Sequence, residues 1–257
     1  MCHPRLEVND AACPGCFPGG GGIVQTGGVD VYVETGTKRV FAGAVEWPGW
    51  CRAARDEEGA LEALLASAPR YAAVVDGSSP VFTPPAAVGD LRIVERLRGD
   101  ATTDFGAPSI APEADRRDLD SRELVRLQAL LEHCWGALDR AAASARGREL
   151  QKGPRGGGRE LHAILEHVVG AEAGYVRRIV GPAVRLDGVD PADAAREIRT
   201  VIQESMGRAV LEGLPEAGPR GGAIWPPRYF VRRTAWHALD HAWEIEDRAG
   251  AGGSGAT

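Results

Sequence analysis

The hydrophobic period changes once along this chain, and that change limits what it can fold into. Residues 29–35 (Val-Asp-Val-Tyr-Val-Glu-Thr) alternate apolar and polar side chains, the period-two pattern of a half-buried strand. A turn at Gly36-Thr37-Lys38 and a second run over 39–46 complete a hairpin. Trp47-Pro48-Gly49 ends it, and Trp50 to Ala54 is long enough for a third short strand. Asp56 then stands as the N-cap of a helix carrying Leu61, Leu64, Leu65 and Ala68 at helical spacing. Residues 91–97 return as a strand, and 98–119 read as a polar, proline-containing linker.

From Asp120 onward the period is 3.6, and four helices are predicted. They cover 121–145, 158–180, 191–212 and 227–249. Asp190-Pro191 opens the third with a cap followed by proline at the first helical position. Four helices of some twenty residues with modest connections predict an antiparallel four-helix bundle. The expected fold class is therefore α+β: a small antiparallel sheet with one helix over 29–97, the linker 98–119, and the bundle over 120–250. Residues 1–28, with four consecutive glycines, read as a flexible arm, and the glycine-rich 251–257 as a frayed tail.

Charge narrows the partners. Against 36 acidic residues there are 30 basic ones, a net charge of -6, so the broad basic field of a nucleic-acid binder is missing. No run of apolar side chains is long enough to span a bilayer, which predicts no membrane partner. The first ten residues contain no apolar stretch of the signal-peptide kind, and the five cysteines form no disulfide framework. Together these predict a cytoplasmic protein with reduced thiols.

The chemistry concentrates in histidines. His237 and His241 are four apart on the fourth predicted helix, so they share a face, and two imidazoles at that spacing can hold one divalent metal. Phe230, Thr234 and Ile245 lie on the same stripe, which places the pair against apolar surface rather than among charges. A third ligand is needed. His162 and His167 on the second helix compete for it, roughly 140° apart around the axis, so one metal cannot easily take both. Glu172 falls near the middle of that helix's apolar face, where a carboxylate serves as ligand, orienting group or base, or simply as the partner of an arginine. Two other features are weaker. Cys2, His3, Cys13 and Cys16 hold one Cys-x-x-Cys but no second tight pair, and Gly153 to Gly158 lacks the Lys-Ser/Thr ending of a phosphate loop. Cys134 beside His133 reads as core.

One histidine on helix two with His-x-x-x-His on helix four resembles the DinB/YfiT-like superfamily, which includes the mycothiol-dependent maleylpyruvate isomerases. The segment Leu165-Glu166-His167-Val168-Val169-Gly170-Ala171-Glu172 is similar to that family's second-helix signature. The resemblance covers about half the chain. It implies His167, His237 and His241 as ligands of a divalent metal, zinc in first place, with nickel, iron or manganese open to the same imidazoles. It implies an enzyme of the S-transferase or isomerase kind that uses a low-molecular-weight thiol on a small-molecule substrate. Arg228, Arg232 and Arg233 near the start of helix four, or Arg155 and Arg159, would then meet the thiol's carboxylates, and Glu172 stands as the candidate catalytic carboxylate. A homodimer is compatible with the resemblance, although no interface is readable in the residues. Trp47-Pro48-Gly49-Trp50-Cys51 followed by Asp56 to Leu61 resembles the HicB-like fold, whose antitoxin members bind a toxin. That likeness implies a different class of function: a non-catalytic, partner-binding or stress-response protein using the HicB-like face. It also leaves Trp47 and Trp50 either lining the substrate cavity or packed in the core.

Overall fold

The computed structural model describes residues 28–152, 158–186, 188–218 and 221–250. The predicted arm with Cys2, His3, Cys13 and Cys16, the tail, and most of the Gly153–Gly158 stretch with Arg155 lie outside the described residues. The architecture is α+β, a four-stranded mixed sheet with six α-helices among the described residues.

Strand β1 (Val29–Thr35) pairs antiparallel with β2 (Val40–Ala44), and β2 pairs antiparallel with β3 (Cys51–Ala54), as expected. Strand β1 is buried on both faces from Val31 to Glu34 rather than half-buried, because helices cover one side and the chain after Arg98 covers the other. Helix α1 (Glu57–Val74) follows, its N-terminus capped by Asp56, which accepts from the Gly59 amide at 2.9 Å. The chain returns as β4 (Leu91–Arg98), and this corrects the expected antiparallel sheet: β4 lies beside β1 and parallel to it, in the order β3-β2-β1-β4. The reason is the crossover. A helix between two strands carries the chain back across the sheet, so the next strand runs in the same direction.

Trp47 and Trp50 are core, not cavity lining. Trp50 is 1% exposed; its Nε1 donates to the Leu64 carbonyl, and its ring stacks on Tyr71 with Phe82 edge-on. Gly43 in β2 faces the Tyr32 ring so closely that an added Cβ would sit 2.6 Å from it. Gly43→Ala is therefore expected to cost about 1–3 kcal/mol by overpacking, measured as a lower urea midpoint with unchanged slope. A cost below about 0.5 kcal/mol would show that the Tyr32 ring is free to move aside.

The predicted linker is a structured strap. It contains α2 (Ala101–Phe105) and carries two buried polar residues, Thr103 and Asp115. Glu34 of β1 holds it down. Its fully buried carboxylate accepts from Thr103 Oγ1 at 2.5 Å, from the Ser109 amide at 2.9 Å and from the Ile110 amide at 3.1 Å. These bonds hold a carboxylate that burial otherwise pushes toward protonation.

Helices α3 (Ser121–Ala145), α5 (Pro191–Glu212) and α6 (Pro227–Gly250) follow their predicted spans closely. Helix α4 (Leu161–Val176) is shorter than expected and continues in one 3-10 turn, Arg177–Ile179. Helix α3 packs along α6, and α4 packs on α5 and α6. Helix α6 is buried on nearly every side from Arg228 to Ile245. One continuous apolar core runs through sheet and helices, from Val31 in β1 to Ile245 in α6. No described helix is long and apolar enough to cross a membrane.

Candidate metal centre

Because α6 is central, its polar residues are forced into the interior and must find partners there. His237 and His241 are 6% and 8% exposed, one turn apart, facing α4. From α4, His167 reaches toward both. Its ring centroid lies 5.1 Å from that of His237 and 5.1 Å from that of His241, and the latter two are 4.8 Å apart. One ring nitrogen from each of the three lies within 4.8 Å of the others. The Nε2 atoms of His167 and His237 are 3.3 Å apart. Two nitrogens each about 2.0–2.1 Å from a tetrahedral ion would stand about 3.3 Å apart, so this pair already has the required spacing. His162 lies elsewhere, its Nε2 3.3 Å from Glu166 on the exposed side of α4.

The donor set fits a divalent cation in charge state and orientation. Ligation needs neutral imidazole. Burial, with the other two histidines nearby, pulls His237 down to about 2, and burial lowers His167 as well. His241 Nδ1 meets Glu244 Oε2 at 2.8 Å, which fixes the proton on Nδ1 and leaves Nε2 free toward the cluster. Glu244 is itself held by Arg248 at 2.9 Å. His237 Nδ1 is buried without a partner. The walls are aromatic: Tyr175 and Trp236 each place a ring centroid 6.0 Å from that of His237, and Trp225 packs on Tyr175.

The other predicted site residues are placed differently. Glu172 is 1% exposed and lies outside the histidine cluster; its Oε1 accepts from Trp135 Nε1 at 2.7 Å, and its Oε2 has no partner. Burial pushes it up to about 7. Its neighbours Trp135, Arg199 and Asp139 border a groove of about 440 Å³ between α3 and α5, which none of the three histidines lines. Arg228 is occupied by the Glu123 carboxylate and the carbonyls of Arg117 and Asp118. Arg232 is occupied by both oxygens of Asp115 and by the carbonyls of Ala44 and Val45. Neither guanidinium is left to meet a thiol's carboxylate, because burial required each to be satisfied internally. Cys51 and Cys134 are buried, and burial pushes both thiols up, Cys51 to about 12.

Sequence reasoning missed Glu244, Tyr175 and Trp236 as neighbours of the histidines. Glu244 was readable, three residues after His241 on the same helix. Tyr175 was not, since its place beside His237 depends on how α4 meets α6. Comparison with protein-family models, with curated proteins and with solved structures gives no match.

Proposed function

We propose that this protein is a divalent-metal-dependent enzyme of the DinB-like class, a thiol-dependent S-transferase or isomerase, with His167, His237 and His241 as metal ligands. The finer architecture belongs to the same proposal: a HicB-like domain over the sheet and α1, followed by a DinB-like four-helix bundle. The observation that carries the reading is the meeting of three imidazoles from two helices, with two Nε2 atoms at the 3.3 Å spacing of a tetrahedral edge. Three protein ligands are the pattern of a catalytic centre, which keeps a coordination position open, rather than of a closed structural one.

A divalent ion held there would lower the pKa of an incoming small-molecule thiol and supply it as a nucleophile at neutral pH. The chain contributes the rest. Glu244 holds the His241 proton on Nδ1. Tyr175 and Trp236 exclude water from the His237 side, and the low dielectric there strengthens every charge interaction. Cys51 and Cys134 are buried with raised pKa values, so neither supplies the nucleophilic sulfur in this reading.

The test is metal content by mass spectrometry on the full chain, as purified and after reconstitution with zinc. Wild type is expected to carry close to one ion per chain. His237→Ala is expected to lower affinity at least about a hundredfold, the scale on which losing even a supporting partner of a ligand is felt. Retention of the metal in His237→Ala would move the site elsewhere. Its absence from the wild type after reconstitution would overturn the reading.

A further inference from the structure

We propose that Arg233 selects the ligand of the histidine site by clamping an anionic group, a carboxylate of the incoming small molecule, beside the metal position. The inference rests on the metal reading above and deepens it.

Three arginines open α6, and the structure separates them. Arg228 and Arg232 are consumed by carboxylates and carbonyls. Arg233 has no carboxylate within ion-pair distance among the described residues; its one hydrogen bond there is from Nη1 to the Pro108 carbonyl, at 2.7 Å. It is only half-buried, so the rest of its fork remains open to solvent. Its position is nevertheless fixed. The guanidinium carbon lies 4.8 Å from the Trp236 ring centroid and 5.8 Å from that of Tyr175. Those are the two rings that also flank His237. Arg233 is one turn before His237 on the same helix, so guanidinium and imidazole project to the same side.

The charge of the site asks for the same thing. Three imidazoles bring no negative charge to a divalent ion. The nearby carboxylate of Glu244 is already shared between His241 and Arg248. Arg159 and Arg233 add positive potential at His237. A ligand carrying both a metal-seeking atom and an anionic group would complete the charge balance. A guanidinium held rigid between two rings binds a carboxylate with little ordering cost, and its planar fork matches the carboxylate's shape.

The experiment uses the full chain loaded with Co(II), whose sulfur-to-cobalt absorption band reports thiol binding directly. Two probes are titrated: mercaptoacetate, which is anionic, and 2-aminoethanethiol, which is cationic. Wild type is expected to bind mercaptoacetate about tenfold or more tightly than 2-aminoethanethiol, the scale of one charge-assisted hydrogen bond. Arg233→Met keeps a stem to cover the rings and is expected to shrink that preference below about threefold; Arg233→Lys, which restores charge without the fork, is expected to fall between. Co(II) bound with no preference, or with the preference intact in Arg233→Met, would overturn the clamp alone; Co(II) bound with no thiol band would overturn the clamp and the thiol-dependent part of the reading above, leaving the metal site standing. Failure of the wild type to take up Co(II) would overturn the metal reading and this inference with it.

Discussion

Arg232→Met is expected to lower the unfolding free energy by about 3–5 kcal/mol, the cost of leaving a buried charge without its partner. Asp115 is 1% exposed, and Arg232 Nε and Nη2 hold its two oxygens at 2.6 and 2.7 Å. The same guanidinium donates to the Ala44 carbonyl at 2.6 Å and to the Val45 carbonyl at 2.7 Å. One side chain on α6 thus ties together the end of β2 and the strap between β4 and α3. Removing it strands a carboxylate and two carbonyls in the interior. Because a typical domain has only about 5–15 kcal/mol in total, the variant should be close to unfolding at 37 °C. Urea titration with fluorescence and far-UV dichroism measures this. Arg232→Met combined with Asp115→Asn is expected to recover part of the loss, since the stranded group is then uncharged. A loss below about 1 kcal/mol for Arg232→Met alone would mean that water reaches Asp115.

Glu172→Gln is expected to do the opposite, and only at high pH. Burial holds the carboxyl up to about 7, against an ordinary value near 4.5, although Arg199 and the Trp135 N–H pull it down. The folded state therefore keeps this proton more tightly than the unfolded state. The associated stability is fully present below about pH 4.5 and is lost as the pH rises through about 7. At pH 8 the wild type must bury a charged carboxylate whose Oε2 has no partner, and the neutral amide avoids that charge. The variant should be more stable than wild type by roughly 1–3 kcal/mol at pH 8 and nearly equal to it at pH 4. The comparison is made on metal-free protein. His237 contributes the reverse slope, since its lowered pKa makes stability fall with pH between about 6.5 and 2, but that slope is common to both proteins and cancels in the difference. A difference that stays flat from pH 4 to 8 would show that burial does not shift Glu172 from its ordinary pKa.

Both residues are visible in the sequence as chemistry-bearing side chains, and the structure gives each a partner within the protein. Glu172 was placed on an apolar helix face, which was right, and given a catalytic role. The structure gives its hydrogen bond to Trp135 on α3, away from the histidines. Arg232 was offered to a ligand's carboxylate, and the structure gives it the protein's own Asp115. No signal in the sequence pairs residues 117 positions apart. The strap shows the same limit, because a polar, proline-containing stretch looks like a linker until Glu34 is seen to hold it on the sheet.

What the sequence determined by itself was local. Period-two alternation set β1, the turn after it set β2 as its hairpin partner, and 3.6-residue periodicity with Asp120 and Asp190 as caps set the spans of α3 and α5. The four-residue interval put His237 and His241 on one face of α6. These follow from backbone geometry repeated over a few residues, which any stretch of chain carries with it. Tertiary structure alone decided the rest. It put β4 parallel to β1, buried α6 on nearly every side, and brought His167 rather than His162 to the pair on α6. It also left Arg233, of three neighbouring arginines, without a carboxylate partner among the described residues. Such outcomes depend on which apolar faces meet and which buried charges must be satisfied when they do, and those are properties of the packed molecule as a whole.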